Sequence, residues 1–168
     1  MSIIAAPDTA ADGAAQPKDA LRLWLKLLRT ARRVESEVRD RLRTEFNMTL
    51  PRFDVLASLA RSGTGQTMTA LSRHLLVSNG NVTGIVERLV TDGYVAREPD
   101  PMDRRSSIVQ LTKEGRIVFD RMAAAHETWI AEFFATYSAA DISKMKEILS
   151  RTGPAKNTGP GVADTEKS

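Results

Sequence analysis

Residues 67–112, TMTALSRHLLVSNGNVTGIVERLVTDGYVAREPDPMDRRSSIVQLT, decide the fold of this 168-residue chain. Thr67 or Thr69 can cap a short helix that packs through Leu71 and Leu75. A second helix is expected from Ser78, a plausible N-cap, to Asp92, with Gly93 as its C-terminal glycine. Val82, Ile85, Val86 and Leu89 recur at helical spacing and face inward. Two strand candidates follow, Tyr94 to Glu98 and Ser107 to Thr112, the latter rich in β-branched residues. Pro99 and Pro101 keep the tip between them non-helical. Helix, turn, helix and hairpin in this order make a winged helix-turn-helix, a device for reading duplex DNA.

A helix fits the major groove, and its first residues meet base edges. Here those residues are Ser78, Asn79, Gly80, Asn81, Val82 and Thr83. Asparagine can pair bidentately with adenine, Ser and Thr can bond bases or phosphates, and the Val or Thr methyls can touch a thymine methyl. Gly80 lets the backbone approach closely. Arg88, further along on the outward side, is a candidate phosphate contact. At the wing tip Arg104 and Arg105 suit the negative potential of a narrow minor groove. Asp103 can orient the Arg105 guanidinium through charge-assisted bonds. The same helical pattern also fits a winged helix that binds protein. From Ser78 to Thr112 there are four arginines against five acids, a net of −1, so this module is no electrostatic clamp. Reading must rest on a few placed contacts, held in duplicate.

Outward from this stretch the chain is mainly helical. Residues 1–17 and 153–168, rich in Ala, Pro, Gly and polar residues, read as a disordered arm and tail. Between them, 18–152 reads as one domain. From Lys18 to Phe46, Trp24, Leu27, Leu28, Ala31, Val34, Val38 and Leu42 share one face of a helix longer than the globular average. So long a stripe calls for a partner helix. Asn47 ends it. Leu50–Pro51 opens a helix that buries Phe53, Val55, Leu56, Leu59 and Ala60, and Ser62–Gln66 is a loop. Beyond the wing, a helix over Lys113–Tyr137 carries Val118, Met122, Ala125, Trp129 and Phe133. Ser138, with Asp141 in the capping-box position, starts the last one. The winged helix thus occupies 51–112, and 18–46 with 113–152 supply a helical platform.

Composition narrows the function. The chain has no cysteine, which removes disulfides, thiolate metal sites, cysteine nucleophiles and thiol redox sensing. Its net charge of +3 suits a nucleic-acid partner without requiring one. No apolar run is long enough to span a membrane, and the N-terminus lacks the basic start and unbroken apolar core of a signal peptide. A cytoplasmic protein is expected. His74 and His126 are the only histidines. Neither lies at metal-ligand spacing, and the glycines near Gly63 lack the Lys and Ser/Thr of a phosphate loop. No metal, cofactor or enzymatic activity is expected.

The segments LSRHLLVSNGNVTGIVERLVTDGYVAR and DPMDRRSSIVQLTKEG carry a resemblance to the MarR family of bacterial transcription regulators. The wing pattern Asp-x-x-Asp-Arg-Arg, followed by Leu-Thr-x-x-Gly, is the most specific part. The resemblance covers about residues 20–150. It implies an obligate homodimer with intertwined first and last helices, and a pseudo-palindromic DNA operator. It also implies a repressor released by a small ligand. Many relatives have Gly where this chain has Leu76, and the peroxide-sensing ones use an N-terminal cysteine that is absent here. On a two-fold operator the recognition helices should sit about 34–36 Å apart.

The first helix suggests the ligand. Between Lys18 and Phe46 nine basic residues face five acidic ones, a net of +4 that exceeds the charge of the whole chain. Arg22, Lys26, Arg29 and Arg33 fall on one stripe. The stripe is either a solvated face with pairs such as Arg33–Glu37 or a site for phosphate or carboxylate, with Arg29 and Arg33 as contacts. Trp24, Phe53, His126, Trp129 and Phe133 lie on the helices that line the family's pocket; they are either core or ligand contacts. The segments LWLKLLR and MAAAHETW look similar to the branch controlling aromatic-acid catabolism, some members of which sense aryl-coenzyme A thioesters. An effector that is an aromatic acid or its coenzyme A thioester is therefore expected. A free phenolic acid in a drug- or stress-responsive regulator is the alternative.

Overall fold

The computed structural model describes residues 16–75, 79–103 and 106–152. Its elements run α1 (Pro17–Phe46), α2 (Leu50–Ser62), β1 (Gln66–Thr67), α3 (Met68–Leu75), α4 (Asn79–Thr91), β2 (Val95–Pro99), β3 (Ser107–Leu111), α5 (Lys113–Phe133) and α6 (Ala139–Ser150). The fold is mainly α with a small β-wing, as the sequence implies. The expected arm and tail lie outside the described residues apart from Gln16 and Pro17.

Two compact units divide after Ala131. The first has a core built by α1, α2, α3, α4, the sheet and α5. Val38 and Leu42 of α1 enter it beside Met48, Leu56, Leu71, Val86, Leu89, Val109, Met122 and Trp129. Within this unit α1 and α5 bury side chains in the same core as the winged helix. Val34 is the first α1 residue packed against that core. Before it the stripe is largely uncovered, with Trp24 and Leu27 exposed and Leu28 half-buried. Asn47 ends α1 in the left-handed conformation at φ 51°, one that Asn tolerates better than most residues. The second unit holds α6. Ser138 Oγ accepts the Asp141 N–H, and the Asp141 carboxylate accepts the Ser138 N–H, closing the expected capping box.

The sheet is antiparallel in the order β1-β3-β2. β2 and β3 pair from Val95 with Leu111 to Pro99 with Ser107. Pro99 thus belongs to the strand and not to the tip; on an edge strand its missing N–H costs no ladder bond. β1, where a loop is expected, pairs Gln66 with Val109 and Thr67 with Ile108. Two residues are too few to give a period-2 pattern, so only the tertiary pairing reveals it. Thr67, rather than Thr69, caps α3, since its Oγ1 accepts the Ala70 N–H. α5 ends at Phe133 and not Tyr137.

Three residues fasten the hairpin between α4 and α5. At the end of α4 the Gly93 N–H bonds to Val90 O and the Tyr94 N–H to Leu89 O. With Gly93 at φ 76° this is a Schellman ending. Thr112 Oγ1 donates to Gly93 O at 2.7 Å and accepts the Gly115 N–H at 2.9 Å, capping α5 onto the end of α4. Gly115 permits the closeness, because a Cβ there would lie 1.9 Å from Tyr94 O. The Leu-Thr-x-x-Gly signature is therefore the joint between wing and α5.

Candidate nucleic-acid interface

α4 divides sharply by face. Val82, Val86 and Leu89 are buried, while Gly80, Asn81, Gly84, Glu87 and Arg88 are exposed. Val82 is 0% exposed. The expected Val82 contact with a thymine methyl is therefore corrected: the side chain anchors α4 to the core and cannot reach a base. Its helical register had already placed it inward. Thr83 is half-buried beside it. Asn79 is the first residue of α4. Ser78, Arg104 and Arg105 lie outside the described residues.

Gly80 and Gly84 sit one turn apart, and a Cβ at either would meet nothing within 4 Å. They leave the outer face of α4 low enough for another backbone to approach. Beside them an open groove of about 580 Å³ runs between α4 and the start of α2, lined by Arg88, Asn81, Ile85, Thr49, Pro51 and Arg52. The Arg52 guanidinium also holds the Asp92 carboxylate just past α4. Arg52 is not evident from sequence pattern, because its partner lies 40 residues away.

The HTH is stiffened by a buried amide. Gln66 Nε2 donates to Ser58 O at 2.8 Å and to Ser58 Oγ at 3.1 Å. Its Oε1 is left to accept from His74 Nδ1 at 2.8 Å. This ties α2, β1 and α3 together. At the wing, the Asp100 N–H bonds to Ser106 O, and the Ser106 N–H to Asp103 O. Asp103 itself is exposed.

Of the residues expected to bind ligand, Phe53 and Trp129 join the core of the first unit, and His126 packs on Phe53. Phe53 packs with His126 at 5.2 Å between ring centroids and with Phe119 at 5.8 Å. Burial lowers the His126 pKa below its ordinary value, with Glu127 partly opposing. Trp129, three residues beyond His126 on α5, is buried 6.1 Å from Phe46 and beneath the Arg41 guanidinium. Trp24 is 57% exposed and lies ten residues before Val34, about 15 Å along the helix. Phe133 is half-buried in the second unit. Phe119, Phe46 and Arg41 were missed by sequence, although Phe119 shares the helical face of Met122 and His126.

On α1, Arg22, Lys26 and Arg29 surround Leu25 in an open concavity of about 480 Å³. Arg33 is exposed and lies beyond that lining. The expected Arg33–Glu37 pair is replaced by Arg41–Glu37 at 2.9 Å, and Glu35 is held by Arg39. Among the described residues no helix is long and apolar enough to cross a membrane.

This arrangement, two helices and a hairpin wing with the face of the second helix uncovered, defines a winged helix-turn-helix protein. The sequence profile of the MarR family matches residues 46–106. The transcriptional activatory protein BadR of Rhodopseudomonas palustris is 33% identical over 141 residues, 82% of this chain and 79% of that protein. The HTH-type transcriptional regulator YkoM of Bacillus subtilis is 33% identical over 135 residues, 80% of this chain and 86% of its own. Among solved structures, Sco3205 of Streptomyces coelicolor in complex with DNA superposes with a TM-score of 0.72 at 23% identity, covering 83% of this chain and 88% of that one. A mutant MarR from E. coli bound to operator DNA gives 0.69 at 22%, covering 82% and 97%. The chain belongs to the MarR family of transcriptional regulators.

Proposed function

We propose that the protein is a cytoplasmic homodimer that binds a pseudo-palindromic operator and represses transcription until a small anionic aromatic ligand releases it. The division of α4 carries the DNA reading. Its buried side holds the helix rigid, while Asn81, the two open glycines and Arg88 present a contact face. Asn79, Thr83 and Ser78 would complete the major-groove contacts, and Asp103, Arg104 and Arg105 those of the wing.

Dimerisation rests on the uncovered apolar residues of two helices. Leu21, Leu23, Trp24, Leu25 and Leu27 are exposed on α1, as are Ile142, Ile148 and Leu149 on α6. The start of α1 is apolar on opposite faces, a pattern suited to burial from more than one side. A second copy provides that cover.

For the effector we favour an aryl-coenzyme A thioester such as a hydroxycinnamoyl-coenzyme A. Arg22, Lys26 and Arg29 offer cations for phosphates, and the Phe53–His126 group offers aromatic surface. A second reading, activation instead of repression, is favoured by BadR, which is described as an activatory protein. Mobility shifts on the chain's own upstream region, with hydroxycinnamoyl- or benzoyl-coenzyme A and the free acids added, test both parts. Repressor release predicts loss of the shift with a thioester. Release by free acids alone would favour a phenolic-acid sensor, and no shift under any condition would refute operator binding there.

A further inference from the structure

Met102 is 94% exposed, whereas the next most exposed large apolar side chain among the described residues, Leu23, reaches 58%. Unlike Leu23, it does not lie on a helix with a vacant apolar stripe. It sits at the end of the β2–β3 hairpin, past the last strand pair Pro99–Ser107. That end stands about 13 Å along the strands from the Val95–Leu111 pair at the base. The tip is a built turn. The Met102 N–H bonds to Asp100 Oδ1 at 2.9 Å. The Asp100 N–H bonds to Ser106 O at 3.1 Å, and the Ser106 N–H to Asp103 O at 2.8 Å. Pro101 beside it is also exposed.

We infer that Met102 is a DNA-contacting residue of the wing, packing its thioether chain against the deoxyribose walls of the minor groove. The inference rests on the reading of the wing as a DNA contact. The complementarity is chemical. A minor groove has apolar sugar walls bounded by phosphates, and the tip sequence places an apolar Pro-Met pair before Arg104 and Arg105, with Asp103 between. Methionine is long and adaptable enough to follow such walls, and apolar side chains are a recurring part of minor-groove binding. Because an apolar contact displaces no counterions, Met102 adds affinity without adding salt dependence.

The test is fluorescence anisotropy of the full chain on its upstream duplex over a salt series. Met102→Ala should bind about tenfold more weakly with an unchanged salt slope, and Met102→Leu should restore most of the loss. Arg105→Ala should instead weaken binding and reduce the slope by about one. An unchanged melting temperature for Met102→Ala would confirm intact folding. If Met102→Ala binds as tightly as the wild type, or loses affinity through a reduced salt slope, the inference is overturned while the wing can remain a DNA contact. If the wild type does not bind the duplex, both readings fail.

Discussion

The Arg52 guanidinium in the first turn of α2 grips the Asp92 carboxylate immediately after α4. The pair spans the two helices that wall the groove beside the recognition surface. Its side chains are 17% and 41% exposed, so solvent screens it only in part. A double-mutant cycle with Arg52→Ala and Asp92→Ala, read by denaturant unfolding, should give a coupling of about 1 kcal/mol. Additive effects would mean that the pair does not fix α4.

Gly115→Ala should destabilise the protein by about 3 kcal/mol. The new methyl meets the Tyr94 carbonyl, a backbone group that cannot turn away, and the α4–wing–α5 joint must open. Thermal unfolding measures it. An unchanged melting temperature would show that the close approach is dispensable.

Adjacent residues of α4 should behave oppositely. Val82→Ala removes buried volume and should cost about 2 kcal/mol of stability. Asn81→Ala, on the exposed face, should leave melting almost unchanged but weaken operator binding. Loss of stability in both variants would contradict the division of the helix.

Protonation of His126 should oppose folding. Its folded pKa lies below the reference value of 6.5 because burial disfavours the charged ring. The unfolded chain therefore binds more protons in this window, and stability falls as pH drops below about 6.5. The penalty grows until the pH passes the folded pKa. His126→Phe should flatten this limb of the pH–stability curve, as measured by urea midpoints. A wild-type curve that rises on acidification there would contradict the sign.

Elements marked by local chemistry were legible in the sequence. Asn47 ended α1, Gly93 ended α4, and Ser138 with Asp141 opened α6. Features set by distant partners were not. β1 exists because Val109 and Ile108 lie opposite it, and Arg52 matters because Asp92 returns to it. The end of α5 was missed because Phe134, Ala135 and Thr136 contain no helix breaker. Val82 was given two incompatible roles, since position near a helix start suggested contact while register required burial; register prevailed. Trp24 shares the helical stripe of Val38 and Leu42, yet it is uncovered while they are buried, a difference that register alone does not carry.

The central claim is that a nearly neutral winged helix reads a two-fold operator through placed contacts held in duplicate. Stoichiometric anisotropy titration of the upstream duplex, wild type against Arg105→Ala, tests it most directly. Saturation at two chains per operator, discrimination against a scrambled duplex and strong weakening by Arg105→Ala are the expected results. Equal affinity for both duplexes, or saturation by a single chain, would contradict it.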